Sequence, residues 1–347
     1  MTPECLLQLA AAAVAAPTAD NHHVFRLAPL ENGLSLRALP EYAHSTHGRR
    51  ILAQVSAGAM VENLVLRAAR LGIRMQPMAP DAGPEGFRLD LIAHDAAPVQ
   101  HPLEAAIEHR HTNRHFRYRG PLLPAAAQQQ LCAYGEDLGG AGLVWLDEPG
   151  ARRRTVQLVR WAETERFRNP VLHAEMFGSI RFDAGWKAPT TEGVPMGALE
   201  LPPLERPMFT MMRHWPVQRV INLIGMHHFI GWRGAALPCR LAPHLCAITG
   251  PDSSPASAVN AGRLLQRVWL GAQNLGLAFQ MFAASAVYAF KGAYPLPEDL
   301  RQSLQSGWEE MCPSATPFLV FRLGHAAPVT VRSGRPSASA LLQNSSR

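Results

Sequence analysis

One segment of this 347-residue chain occurs twice, and that constrains the fold more than any composition figure. GAMVENLVLRAARLGI (Gly58–Ile73) and GRLLQRVWLGAQNLGL (Gly262–Leu277) align without a gap. Gly58 falls on Gly262, Leu66 on Leu270, Ala68 on Ala272, Leu71 on Leu275 and Gly72 on Gly276. In both copies apolar residues recur at threes and fours, the period of an amphipathic helix, and a Leu-Gly pair closes each as helix C-termini often close. Leu and Ala are common enough to match by accident. Glycines matched at both ends indicate a duplication instead.

The surroundings of the two copies agree. IRMQPM and then GFRLDLIAH (Gly86–His94) follow the first as extended segments, and LAFQMF follows the second. Upstream, a helix-then-strand unit is also repeated: LLQLAAAAVAAPTADNHHVFRL pairs with PAAAQQQLCAYGEDLGGAGLVWL (Pro124–Leu146). The pattern predicts an α+β chain of two related halves, residues 1–104 and 105–338, meeting near 100–108 where Pro98 and Pro102 stand. Residues 339–347 are polar and predict a flexible tail. The apolar LLQLAAAAVAA has no Lys or Arg ahead of it, so it reads as an Ala-rich helix stopping before Pro17 rather than as a signal peptide.

Composition removes several classes. Hydrophobic residues at 47% and charged ones at 17% belong to a globular chain. No run approaches the ~18–20 apolar residues of a membrane span, so no membrane partner is expected. Five cysteines, an odd and small number, imply no disulfide framework and a reducing, cytoplasmic setting. CRLAPHLC (Cys239, His244, Cys246) lacks a tight Cys-x-x-Cys pair, and MHHF (His227, His228) reads as core or surface, so no metal is expected. A net charge of +6 suits phosphate-bearing partners without choosing between nucleic acid and nucleotide.

Arginine carries most of that charge, and two clusters of it stand out. In EHRHTNRHFRYRG (Glu108–Gly120), Arg110, Thr112 and Arg114 alternate, so extended backbone would turn all three to one face. Guanidinium forks match phosphate oxygens, and a hydroxyl adds a donor. VRSGRP supplies Arg332 and Arg335. A solvated basic surface is the ordinary reading of such clusters. Phe116 and Tyr118 would suit nucleic acid, but no helix-turn-helix, RRM signature or zinc finger accompanies them, and no nucleic-acid partner is expected. Walker, GxSxG and HExxH motifs are absent, and GGAG at 139–142 precedes a strand rather than a helix.

Taken together, A-P-T-A-D-N-H-H-V-F-R-L and Arg110-x-Thr112-x-Arg114 resemble the FMN-dependent nitroreductases. That family's first helix ends in A-P-S-x-x-N-x-Q-P-W-R-F, and an R-x-S-x-R element holds its FMN phosphate. The resemblance implies a nitroreductase-like fold with mixed, mostly antiparallel sheets packed by helices, the two repeat helices lying side by side. It implies that Pro17, Thr18 and Asn21 face the flavin edge and ribityl chain. His23 stands where the family has Gln, and Val24 where it has Pro. Arg110, Thr112 and Arg114, with Arg332 and Arg335, would hold the phosphate. FAASAVY (Phe282–Tyr288) resembles the segment whose backbone steadies the reduced flavin, which singles out Ala284 and Ser285.

The order of the motifs departs from single-domain members. The Pro-Thr-Asn loop lies in half one and the arginine motif opens half two. That layout is similar to the two-domain Acg-type branch: a fused pseudo-dimer, monomeric or weakly dimeric, with one composite FMN site. The implied activity passes hydride from NAD(P)H to flavin N5 and on to a small organic acceptor, with no dedicated catalytic residue. Trp186–Trp215, rich in Pro, Met and aromatics, reads as a lid. A lid that excludes nicotinamide gives the alternative, an FMN-holding protein with little turnover.

Overall fold

A computed structural model describes residues 1–342. The Ala-rich opening segment is helical, as its composition predicts. α1 (Pro3–Val14) is capped by the Thr2 hydroxyl accepting from Cys5 N–H and starts on Pro3, whose fixed φ suits a first helical position. A hairpin follows, β1 (Phe25–Leu30) and β2 (Gly33–Ala38), then α2 (His47–Arg70), β3 (Ile73–Pro77) and β4 (Phe87–Asp95). Every pairing in this sheet is antiparallel, in the order β1-β2-β4-β3.

The second half repeats that sequence of elements. α3 (Ala125–Ala133) precedes β5 (Gly142–Trp145) and β6 (His244–Gly250), then come α4 (Pro255–Asn274), β7 (Ala278–Phe282) and β8 (Thr316–Gly324). The sheet order is β5-β6-β8-β7, again antiparallel throughout. Two residues join β1 to β2, whereas a mostly helical insertion of about a hundred residues separates β5 from β6. The proposed lid lies inside that insertion.

α2 and α4, the two helices whose sequences match, pack on each other through their matched glycines. A Cβ on Gly58 would lie 1.9 Å from the Val259 carbonyl oxygen, and one on Gly262 would lie 1.9 Å from that of Val55. Val55 and Val259 are themselves equivalent in the repeat. The contact is therefore reciprocal, as a twofold relation requires. Only glycine allows two helix backbones this close. At the other end of the repeat, Gly72 (φ +76) and Gly276 (φ +68) adopt the left-handed conformation that ends each helix.

The reciprocity extends to polar pairs of changed chemistry. Glu62, buried, accepts from Arg263 at 2.9 Å and from Arg267 at 2.7 Å, while Gln266 donates to Asn63 at 2.7 Å. Asn63 also donates to Ala12 O at the end of α1, and Arg267 to Tyr134 O just past α3. The linker lies across both copies: Leu66 and Leu270, equivalent positions, share a cluster with Leu103, Ala106 and Ile107. Glu104 is paired with Arg67 there.

The expected tail at 339–347 needs correction. Ala338–Leu341 is helical, capped by Ser337, with Leu341 buried against the first sheet and Leu342 bridging Leu27. Two leucines in a polar stretch supply the apolar anchor that its overall composition hides. Residues 343–347 lie outside the described residues.

Candidate functional site

Where the halves meet there is a cavity of about 450 Å3, within the range of small-ligand sites. The loop after α1 forms one wall. Its tight turn puts Asp20 (φ 54) and Asn21 (φ 57) in the left-handed region, which Asp and Asn tolerate better than most residues. Pro17, Thr18 and Asn21 line the cavity. The opposing wall comes from half two: Arg110, Thr112 and Arg114 in irregular backbone, Gln280 on the edge strand of the second sheet, and Ala284. Arg332 and Arg335 complete it. The two halves of one chain thus converge on a single cavity.

The arginines are held without acids. Arg110 is buried; its Nη2 donates to Ala15 O at 2.9 Å and its guanidinium lies 4.3 Å from the Trp269 ring centre. Arg335 donates to Asn21 Oδ1 at 2.6 Å and to Gly334 O. Burial, and then Arg335 close by, push the Arg110 guanidinium well below the usual arginine range. Burial alone pushes Arg335 down to about 10. Arg114 is lowered by burial, partly offset by Asp20. Arg110 Nε, Arg335 Nε and Thr18 Oγ1 are buried without any hydrogen-bond partner. Unpaired buried polar groups of this kind are costly, and an anion is the kind of group that relieves unpaired guanidinium donors.

Asn21 is already committed. Its side-chain amide donates to Gly193 O at 3.0 Å and Thr190 O at 3.3 Å, and its backbone carbonyl accepts from Gly193 N–H. It lines the cavity while fastening the insertion to the first half.

Two expected residues stand elsewhere. His23 is off the cavity wall; burial, then Arg335, lower its pKa to about 4, so it sits neutral behind the arginine. Ser285 is buried with its hydroxyl unpartnered, while its carbonyl accepts from Trp308 Nε1 in the core. One helical position turns it away from the cavity that Ala284 lines. Cys239 and Cys246 are buried free thiols, and no group of three or more potential metal ligands occurs among the described residues.

The far end of the cavity is polar but paired, and its residues carried no signal. Arg49 binds Asp20 at 2.8 Å and Glu175 at 2.7 Å, and Tyr294 donates to Glu175. Arg166 pairs with Glu163 at 3.2 Å; burial would lower its pKa, but Glu163 and Tyr288 outweigh that and raise it. As an i,i+3 pair in a helix, Glu163–Arg166 reads in sequence as an ordinary solvated pair. The insertion also brings Val194, Leu199 and Phe209 to the cavity, and Ala198 O accepts from Arg114.

Among the structural neighbours of this chain are FMN-dependent nitroreductases. The NfnB nitroreductase of Mycobacterium smegmatis, solved with NADPH, aligns at a TM-score of 0.40 and 16% identity over 70% of this chain and 98% of that one. A nitroreductase with bound FMN from Bacteroides fragilis NCTC 9343 aligns at 0.36 and 11%, over 66% and 90%. The NADPH:FMN oxidoreductase of Vibrio harveyi, complexed with NAD+, aligns at 0.38 and 9%, over 71% and 79%. In sequence, an uncharacterised protein of Mycobacterium tuberculosis (strain CDC 1551 / Oshkosh) is 25% identical over 352 residues, 94% of this chain and 46% of that protein. The chain thus spans about half the length of that curated relative. No family model matches.

Proposed function

We propose that the chain is an FMN-binding oxidoreductase of nitroreductase type, in which the cavity holds one flavin between the two halves. The observation that carries this is the pair of acid-free arginines on the cavity wall, Arg110 and Arg335, each with a buried Nε that has no partner. These donors fit a monophosphate at one end of the cavity, and the motif resemblance names FMN as the ligand.

When bound, FMN supplies hydride-accepting and hydride-donating chemistry. The chain's own residues do the rest. Arg110, Thr112 and Arg335, with Arg332 at the rim, neutralise and orient the phosphate. Trp269 fixes the Arg110 plane, so the fork is set before binding. Ala284 opens a short helix and carries a backbone N–H without an intrahelical acceptor, a group that suits charge developing on a flavin edge. Phe209, Leu199 and Val194 exclude water from one side. NAD(P)H is the proposed donor and a small organic molecule the acceptor; no side chain is assigned a dedicated acid or base role.

One observation favours the second reading, a flavin holder with little turnover. The insertion is fastened at three points: Gly193 to Asn21, Gly334 to Thr190, and Thr330 to both oxygens of Glu200. A lid tied to both halves restricts nicotinamide entry.

The visible spectrum of the purified protein, before and after anaerobic NADPH, separates these readings. Flavin bands that bleach with NADPH support the enzyme. Bands that resist NADPH but yield to dithionite support the holder. Failure to bind added FMN more tightly than riboflavin overturns both.

A further inference from the structure

We propose that the outer face of the insertion docks on an anionic lipid surface. The face is built from three short helices, Arg206–Met212, Trp215–Asn222 and Met226–Gly231, and the corners between them. At the second corner Leu223 is 83% exposed and Ile224 78%, ahead of Gly225, whose φ of +76 turns the chain. Val220 and Phe229 flank that tip, 63% and 55% exposed, and Leu204 stands out at 95%. Isolated exposed aliphatics are ordinary on protein surfaces; Val220, Leu223 and Ile224, exposed together at one helix corner, mark a contact.

Charge selects the occupant. Arg213, Arg219 and Arg240 are exposed on the same insertion, and among the described residues none has a carboxylate partner. Between residues 201 and 241 the one acid is Glu205, already paired with Arg233 at 2.9 Å. Exposed apolar groups interleaved with unpaired arginines match a bilayer interface, where acyl chains take the first and anionic headgroups the second. A second copy of this chain fits poorly, because a self-complementary contact would set these arginines against each other. Trp232, half exposed beside Phe229 with ring centres 6.0 Å apart, adds an aromatic pair of the kind that favours the headgroup level.

The contact is superficial. No helix among the described residues is long and apolar enough to cross a membrane. The expectation of no membrane partner rested on the lack of a span, and surface docking needs none. The Arg206–Met212 helix exposes Met208 and Met211 outward while Phe209 lines the cavity, so the docking face and the cavity share a wall.

Vesicle flotation tests this with no reference to flavin. The full chain is mixed with phosphatidylcholine vesicles or with vesicles that also contain phosphatidylglycerol. The expected result is flotation with the anionic vesicles only, weakening as salt rises. Leu223→Ser with Ile224→Ser should lower partitioning tenfold or more, and Arg213→Gln or Arg219→Gln about fivefold each. These side chains are exposed, so the variants should melt as the parent does. Three results would overturn the proposal: no flotation with either vesicle, equal flotation with both, or retention by the Leu223→Ser/Ile224→Ser variant. Sedimentation supplies a fourth: a dimer abolished by that same variant would assign the face to a second copy.

Discussion

Arg335 donates a 2.6 Å hydrogen bond to Asn21 Oδ1, joining the loop after the first helix to the segment after the last strand. Asn21 also holds Gly193 of the insertion, so one side chain fastens three parts of the chain around the cavity. Arg335 and Arg110 supply the charge there. Each charge-assisted bond to a phosphate contributes about 1.5–3 kcal/mol. Arg110→Ala should therefore weaken FMN binding roughly ten- to a hundredfold, read by flavin fluorescence quenching. Arg110→Ala with Arg335→Ala should empty the site. Asn21→Ala should speed flavin release, because it loosens the insertion and frees Arg335 from its acceptor. Unchanged affinity in the double arginine variant would refute the phosphate assignment.

Stoichiometry follows from the same geometry. The Pro17-Thr18-Asn21 wall belongs to half one and the Arg110–Arg114 wall to half two, and both face one cavity within the chain. One FMN per chain is expected, bound by the monomer. Flavin absorbance against protein concentration, measured on a monomeric fraction, checks it; two flavins per chain would count against a single composite site.

The helix crossing gives a stability prediction with an inverted sign. In an exposed helix, Gly→Ala stabilises by about 1 kcal/mol. At Gly58 and Gly262 the new methyl would overlap the facing carbonyl, 1.9 Å away in each case. Forced overpacking costs about 1–3 kcal/mol, occasionally more, and two rigid backbones relax poorly. Gly58→Ala and Gly262→Ala should each lower the urea midpoint, and by similar amounts because the contacts are reciprocal. A gain in stability from either would contradict the packing.

His23 sets a pH dependence. Its folded pKa of about 4 lies below the ordinary 6.5. Above 6.5 the imidazole is neutral in both states and has no effect. As pH falls from 6.5 toward 4 the unfolded chain takes up a proton that the folded chain refuses, so stability is lost across that window and no further below it. At about 1.4 kcal/mol per pKa unit the loss is at most about 3 kcal/mol. His23→Gln should flatten the melting temperature between pH 6.5 and 4 relative to the parent, and an unchanged profile would exclude this origin.

Much of the architecture was legible in the sequence because it depends on local chemistry and on repetition. Gly72 and Gly276 end the matched helices, and alternation and helical period carried the strand and helix assignments. The alternation of Arg110, Thr112 and Arg114 was visible in the sequence too, and all three line the cavity. The polar stretch after 336 misled, because two leucines decide its packing and an average over eleven residues hides them.

Sequence alone determined the matched helix pair, the helix-strand order around each copy, and the wide separation along the chain between the Pro-Thr-Asn loop and the arginines. Tertiary structure decided what those pieces face. Asn21 is consumed as a clasp, His23 stands behind Arg335, and Ser285 turns into the core. Trp269 supports Arg110 from a helix 159 residues along the chain, and Glu163 and Arg166 reach the cavity from the insertion. The physical reason is that capping, periodicity and glycine geometry act within a few residues. The burial that strips a guanidinium of water, and the direction in which an orphaned donor points, arise only when distant segments close around one space.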